Sequence, residues 1–277
     1  MKTAFSTNAF TSYSLKDTIS LISKIGFYAV EIVVDKPHGF LPLKKTHVQE
    51  IKKHLKKHSL QVSNINANTV VGWYVNKKPN ILEKFEPSLS NGNRTLRKWR
   101  IDYTKAAIDV AYDLESPSIC LTSGILDNDR KKAHLSFFEN SLNEVSEYAK
   151  NYNIRIALEY EPGLLIESSN DVFQVMSKYK NVGLNLDTCH AAVIGEDLTK
   201  IITIARKKLF HIHFSDCKNK THYHLLPGKG DIDFNNMYNA LYKIGYDGYL
   251  TAELYTYSSN PIKAAKYTLT YLDNLIV

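Results

Sequence analysis

Residues 155–190 read RIALEYEPGLLIESSNDVFQVMSKYKNVGLNLDTCH and hold one full repeat of the architecture. It opens with a short apolar run, 155–160, and closes with a second, 182–186. Between them DVFQVM spaces its apolar residues as a helix does, behind Ser169 or Asn170, either of which can cap a helix by accepting from its free amides. Strand, helix, strand is the repeating unit of a parallel α/β architecture. Both strands also end in polar, titratable residues: Glu159 and Glu161 after the first, Asp187 and then His190 after the second.

The same alternation continues outward in both directions. Apolar, β-branched runs at 3–6, 29–34, 61–67, 118–122, 209–214 and 248–254 join the first two, giving eight strand candidates. Amphipathic stretches lie between them. Residues 15–25 carry Ile19, Leu21, Ile22 and Ile25, residues 133–152 carry Leu135, Phe138, Leu142, Val145 and Tyr148, and 234–244 and 262–275 complete the C-terminal part. Ser14 stands where a cap belongs before LKDTISLI, and Gly26 and Gly245 follow helices where a left-handed residue is expected. Eight units about 30 residues apart predict a single (β/α)8 TIM barrel over residues 1–277. The structural rival, a doubly wound sheet, would need a Gly-rich phosphate turn after a strand, and none is present.

Composition agrees with that reading. A 44% hydrophobic fraction excludes a disordered chain, and 12 Gly with 8 Pro exclude a fibrous one. No apolar run nears the roughly 18 residues of a membrane span, and the opening MKTAFSTNAFTSYSL has no signal-peptide core. Cys120, Cys189 and Cys217 are too few and too scattered for a disulfide framework or a cysteine-based zinc site. A cytoplasmic protein with no membrane association is expected. Lys+Arg 35 against Asp+Glu 28 gives a net charge of +7. Much of it lies in 44–58 and 94–100, and in the first run Val48, Ile51, Leu55 and Leu60 recur at helical spacing with lysines between, the pattern of a solvated helix face. No basic run is interleaved with stacking aromatics, so nucleic acid is not the expected partner.

The longest interval without a strand is 68–99, holding Val70-Val71-Gly72-Trp73-Tyr74 and then SLSNGN. A loop of that length in a compact domain is expected to be a lid, with Trp73 or Tyr74 near the substrate.

In such a barrel the C-terminal strand ends form the active face. Strand five ends in Glu159 and Glu161, six in Asp187 and His190, seven in His211, His213 and Asp216, eight in Glu253, and strand two adds Glu31, Asp35 and His38. One carboxylate at a strand end is ordinarily a cap or an ion-pair partner, and one buried histidine is ordinarily hydrogen-bonded. Four successive strands carrying such groups inside apolar runs change the balance. Burying Glu159, Asp187 and Glu253 with no cation would cost roughly several kcal/mol per charge, which one divalent cation offsets for all of them. If His213 points inward so does His211, one layer lower, as core. Three carboxylates and one imidazole suit Mn2+, Mg2+ or Co2+ in an open octahedron, with Zn2+ also admissible.

The segments LEYEP, LDTCH, HIHFSD, HLLPGKGDIDF (224–234) and GYDGYLTAEL (245–254) resemble the xylose isomerase-like TIM barrel superfamily, which holds sugar isomerases, ketose 3-epimerases, inosose dehydratases and the apurinic endonuclease IV group. The resemblance runs from Ser6-Thr7-Asn8 to the final helix. It implies one divalent metal ion on Glu159, Asp187, His213 and Glu253. It also implies proton transfer beside the carbonyl of a sugar, sugar phosphate or polyol ketone through an enediolate, with Glu159 and Glu253 exchanging the proton and His190 touching a substrate oxygen. His224 and Lys229 after strand seven, with Trp73, Glu31 and His38, complete the expected substrate-binding set. The basic residue that follows the strand-seven histidine in several ketose epimerases has no match in HFSDCKNKTHYH. Endonuclease IV-type enzymes place extra histidines on strands two and three. His38 answers the first, strand three offers only Asn64, Asn66 and Asn68, and His222 with His224 could replace an Asp-x-His ligand pair. A one-metal isomerase or epimerase is therefore expected, the alternatives being a metal-dependent phosphodiesterase of the apurinic type and an inosose-type dehydratase. A barrel that binds without turnover would be expected to have lost a ligand. The expected partner is a small sugar or polyol, and a homo-oligomer is compatible with the fold.

Overall fold

The computed structural model describes residues 1–276. The apolar runs become strands β1 (Lys2–Ser6), β2 (Ala29–Val33), β3 (Gln61–Asn66), β4 (Ser118–Leu121), β5 (Arg155–Glu159), β6 (Val182–Asp187), β7 (Leu209–Phe214) and β8 (Tyr249–Ala252). Helices α1 (Leu15–Ile25), α2 (Lys45–Lys57), α3 (Arg94–Asp113), α4 (Lys131–Lys150), α5 (Ser169–Met176), α6 (Thr188–Ile194), α7 (Leu198–Ala205), α8 (Phe234–Lys243) and α9 (Pro261–Leu275) connect and follow them. Each strand pairs in parallel with its sequence neighbours, and β1 pairs with β8, so the sheet closes into a (β/α)8 TIM barrel with no free edge. No helix of the described residues is long and apolar enough to cross a membrane.

Local chemistry sets the element ends. Ser14 accepts from the Asp17 amide to start α1, and Gly26 ends it at φ +113°, where an L side chain would be strained. In α2, Val48, Ile51 and Leu55 are buried and the lysines face outward. The cap of α5 is Ser168, one residue before Ser169 and two before Asn170. Its hydroxyl accepts from the Asp171 amide while the Asp171 carboxylate accepts from the Ser168 amide. That reciprocal pair needs an acid three residues after the cap, which Asp171 supplies for Ser168 and not for Ser169 or Asn170. The loop between β3 and the helix after it is also shorter than expected. Asn93 caps α3 by accepting from Thr95 and Leu96, so residues 94–99 are helical, and short 3-10 turns at Val71–Trp73 and Glu83–Phe85 break up the rest.

The apolar core lies between strands and helices, where Val30, Ile65, Leu158, Leu184, Ile212 and Leu250 are buried. The bore of the barrel is polar instead. Thr251 Oγ1 bonds Ser63 Oγ at 3.2 Å, Ser118 donates to Asn64 at 2.8 Å, Asn64 donates to Glu31 at 2.9 Å, and His213 Nε2 meets Glu31 at 2.8 Å from the opposite wall. Buried polar groups need partners, and this ladder supplies them while bracing the strands that carry the site.

Candidate active site

Strands β5 to β8 each bring one ligand-type side chain to the same end of the barrel. Glu159 and Asp187 are the last residues of β5 and β6, His213 is next to last in β7, and Glu253 follows β8. One donor atom from each lies within 4.8 Å of the others. His213 Nδ1 stands 3.2 Å from Glu159 Oε2, 3.4 Å from Glu253 Oε2 and 4.0 Å from Asp187 Oδ2. Asp187 doubles as the cap of α6: its Oδ1 accepts from the Cys189 and His190 amides at 2.8 and 2.9 Å. Its Oδ2 is buried with no hydrogen-bond partner. A fixed, partnerless carboxylate oxygen beside an imidazole nitrogen and two more carboxylates is a donor set that fits a divalent cation.

The groups behind these four set their charge and orientation. Glu31 accepts from Asn64 at 2.9 Å and Asn66 at 3.3 Å and meets His213 Nε2, with His211 Nε2 3.4 Å away. Burial pushes the Glu31 carboxyl up, but the charge of His213, its bond and the nearby His211 ring outweigh it, leaving its pKa well below the usual carboxylate value. Burial likewise works against the His213 imidazolium, yet Glu253, Glu31 and Glu159 together hold its pKa well above that of an ordinary imidazole. A carboxylate behind an imidazole ligand fixes the ring and raises its basicity.

The two glutamates differ. Glu159 Oε2 accepts from Asn68 at 2.6 Å, Asn185 at 2.8 Å and the Cys120 thiol at 3.0 Å. Burial alone would raise its pKa, and the charge and bond of His213 bring it below the usual carboxylate value. Glu253 has only a long contact to Asn66, at 3.5 Å, and burial carries its pKa well above that value against the opposing pull of His213.

Two histidines complete the floor. His190 donates from Nδ1 to the Tyr160 carbonyl at 2.9 Å, and His224 from Nδ1 to the Glu253 carbonyl at 2.9 Å, leaving Nε2 of each as the free ring nitrogen. Burial lowers the His190 pKa, and Asp187, Glu161 and Glu159 more than reverse that; burial prevails at His224. His222 is pushed down to about 4 by burial and by the neighbouring His190 and His224. His190, His222 and His224 form a second group whose donors lie within 4.8 Å of one another.

A cavity of about 240 Å³ opens above this floor, lined by Glu159, Glu253, His190, His224 and His38 among others. Three expected substrate contacts lie elsewhere. Trp73 does not line the cavity: its ring packs 4.4 Å from that of Trp99. The cause is Asp35, which accepts from Thr69 Oγ1 at 2.7 Å and from the Val71 and Gly72 amides at 2.6 and 2.9 Å, seating Gly72 so tightly on Phe40 that a Cβ there would come within 2.3 Å of that ring. Tyr74 points away too, its hydroxyl donating to the Glu83 carbonyl. Lys229 is exposed, with its ammonium 5.4 Å from the Tyr267 ring. Asp216 accepts from the Cys217, Gly230 and Ile232 amides and folds that loop back, turning Lys229 outward. Glu31 sits beneath His213 and outside the cavity lining. His38 lines the cavity, but its Nε2 donates to the Phe10 carbonyl at 3.1 Å.

Other residues carry weight that the sequence reading did not give them. Asn68, Cys120 and Asn185 cage Glu159, and Lys84, Phe85 and Tyr255 line the cavity. Period-two alternation held the signal for Asn185, two residues before Asp187 on one strand. The asparagines of β3 were legible only as missing histidines, although an amide that donates to a carboxylate does a different task.

A family model described as xylose isomerase-like TIM barrel matches residues 19–275. The fructoselysine 3-epimerase of Shigella flexneri is 23% identical, over 97% of this chain and 96% of that protein. Among solved structures, the IOLI protein with a bound zinc atom superposes with a TM-score of 0.80 at 20% identity, covering 100% of this chain and 98% of that one. The D-psicose 3-epimerase of Clostridium cellulolyticum, solved with D-tagatose, gives 0.79 at 19% identity over 99% of both chains.

Proposed function

We propose that this chain, which belongs to the xylose isomerase-like TIM barrel family, is a divalent-metal-dependent isomerase or epimerase that moves a proton next to the carbonyl of a sugar or polyol ketone. The observation that carries this reading is the placement of Glu159 and Glu253 on either side of one donor set, 3.2 and 3.4 Å from the same nitrogen of His213. Fructoselysine 3-epimerase, inosose isomerase and 2-oxo-tetronate isomerase are named relatives that support it. Mn2+, Mg2+ or Co2+ suits three carboxylates and one imidazole best, and the zinc-bound neighbour keeps Zn2+ in the range. Such a cation supplies Lewis-acid polarisation of a carbonyl and its neighbouring hydroxyl.

The protein groups do the rest. Glu159, caged by Asn68, Asn185 and Cys120, is held ionised and oriented to accept a carbon-bound proton. Glu253, on the other side of the donor set, returns a proton there, the two roles exchanging in the reverse direction. The free Nε2 atoms of His190 and His224 meet substrate oxygens, their tautomers fixed by the carbonyls behind them. The segment 68–93 covers the mouth and brings Asn68, Lys84 and Phe85 to the cavity, which keeps water from the developing charge. The buried free thiols Cys120, Cys189 and Cys217 suit a reducing compartment, so we assign the enzyme to the cytoplasm.

One observation favours a second reading. The His190, His222 and His224 group offers a further cation site, as a multi-metal phosphodiesterase would need. Against it, β3 carries asparagines and His38 is committed to Phe10. The test is a panel of ketoses, aldoses and inososes with Mn2+, read by chromatography. Interconversion of at least one sugar, abolished by a chelator, is expected; cleavage of abasic-site DNA with every sugar left unchanged would favour the second reading.

A further inference from the structure

We infer that the substrate carries an anionic group, a phosphate or a carboxylate, and that Lys84, an unpaired ammonium held over two aromatic faces in the cavity wall, recognises it. The inference deepens the reading above and rests on it for which end of the substrate meets the metal ligands.

Lys84 lies on the short turn Glu83–Phe85, and its place is fixed. Its carbonyl accepts from the Val70 amide at 2.8 Å, and the next residue, Phe85, is buried. The ammonium stands 4.7 Å from the Phe85 ring centroid and 5.5 Å from that of Tyr255, and all three residues line the cavity that holds Glu159 and Glu253. Aromatic faces position a cation without neutralising it.

The acids nearest in sequence are committed elsewhere. Glu83 accepts from Lys77 at 2.8 Å and from the Asn80 amide at 2.9 Å. Glu86 accepts from the Ser88 amide at 2.9 Å, Asn91 at 2.7 Å and the Ile125 amide at 3.1 Å. Asp35 is taken up by Thr69, Val71 and Gly72. Among the described residues no carboxylate, Glu161 of the same cavity included, comes within ion-pair distance of Lys84.

An ammonium offers three donors and no acceptor. Half-buried and unpaired, it gains most from an anionic oxygen, because hydrogen bonds between charged groups are roughly twice as strong as neutral ones. The cavity is therefore polarised. Glu159 and Glu253 in its lining repel an anion, while Lys84, with exposed Lys36 lining the same cavity, attracts one. A ligand with a neutral carbonyl to meet the carboxylates and a charged group to meet Lys84 satisfies both kinds of wall.

The test is isothermal titration calorimetry on the Mn2+-loaded protein with three ligands: a neutral 2-ketohexose, its 6-phosphate, and the 2-ketohexuronate with a carboxylate at carbon six. One charged ligand should bind at least about tenfold tighter than the neutral sugar, and which one it is separates phosphate from carboxylate. In Lys84→Met that preference should fall to within about threefold, and Lys84→Arg should keep most of it. Ratios near one, including no measurable binding of any ligand, overturn the inference, as does a charge preference that survives in Lys84→Met. Affinity is read here whether or not a ligand turns over. Failure of all sugars to exchange a proton would remove the proton-transfer reading and leave these ratios standing, and flat ratios would remove the role of Lys84 alone.

Discussion

Glu253 and Glu159 share one chemical type and one nitrogen neighbour, yet their surroundings push them apart. Three donors cage Glu159, while a single contact at 3.5 Å serves Glu253. Replacing Glu253 with Gln keeps the shape and removes the proton-transfer group together with its charge as a ligand. Activity should fall by roughly three orders of magnitude or more and metal affinity should drop, with circular dichroism unchanged. Near-normal kcat in that variant would take Glu253 out of the chemistry. At this scale the crowd of titratable residues at the ends of β5 to β8 was legible in the sequence, and the family resemblance picked Glu159, Asp187, His213 and Glu253 from it, since alternation alone leaves Glu161 on the same face as Glu159. Lys229 and Trp73 were not, because distant hydrogen bonds at Asp216 and Asp35 decide where those loops turn.

Among the elements, the segment after β3 depends on one carboxylate. Asp35 binds Thr69, Val71 and Gly72 and so places both the Asn68 that cages Glu159 and the turn before Lys84. Asp35→Ala should lower kcat/KM by roughly tenfold to a hundredfold, since small misplacements of positioning groups carry such costs. Trp73→Ala should act differently. The ring packs on Trp99 outside the cavity, so its loss should lower stability by about 1–2 kcal/mol and leave kcat/KM within about twofold. A large rise in KM for Trp73→Ala, with Asp35→Ala unaffected, would show that the segment works the other way round. The helix starts show the limit of local reading. Ser14 and Gly26 follow simple rules, whereas Ser168 wins over Ser169 only through its partnership with Asp171.

In the whole molecule, buried like charges couple the site to stability. Glu31, Glu159, Asp187 and Glu253 are buried with His213 among them, so a bound cation should stabilise the fold as well as the chemistry. At Mn2+ one hundred times its Kd the gain is about 2.7 kcal/mol, roughly 5–10 °C in Tm for a chain of this size. Asp187→Asn should lose that Mn2+-dependent rise while still capping α6, because asparagine caps as well as aspartate does. An undiminished rise would place the cation elsewhere, at His190, His222 and His224 for instance. The barrel itself was the most legible level, since eight apolar runs in alternation with amphipathic stretches leave few other topologies. The polar bore was less so, because Ser63, Asn64, Ser118 and Thr251 acquire meaning only once the opposite wall is in place.

The chemistry proposed for this site is proton transfer at carbon, and solvent isotope entry reports on it. The Mn2+-loaded protein, incubated in D2O with ketoses, aldoses and inososes, their phosphates and their uronates, should place deuterium next to the carbonyl of at least one sugar. Glu159→Gln and Glu253→Gln should each suppress that exchange by about a hundredfold or more. Deuterium entering no sugar, or entering at the same rate in both variants, would contradict the account.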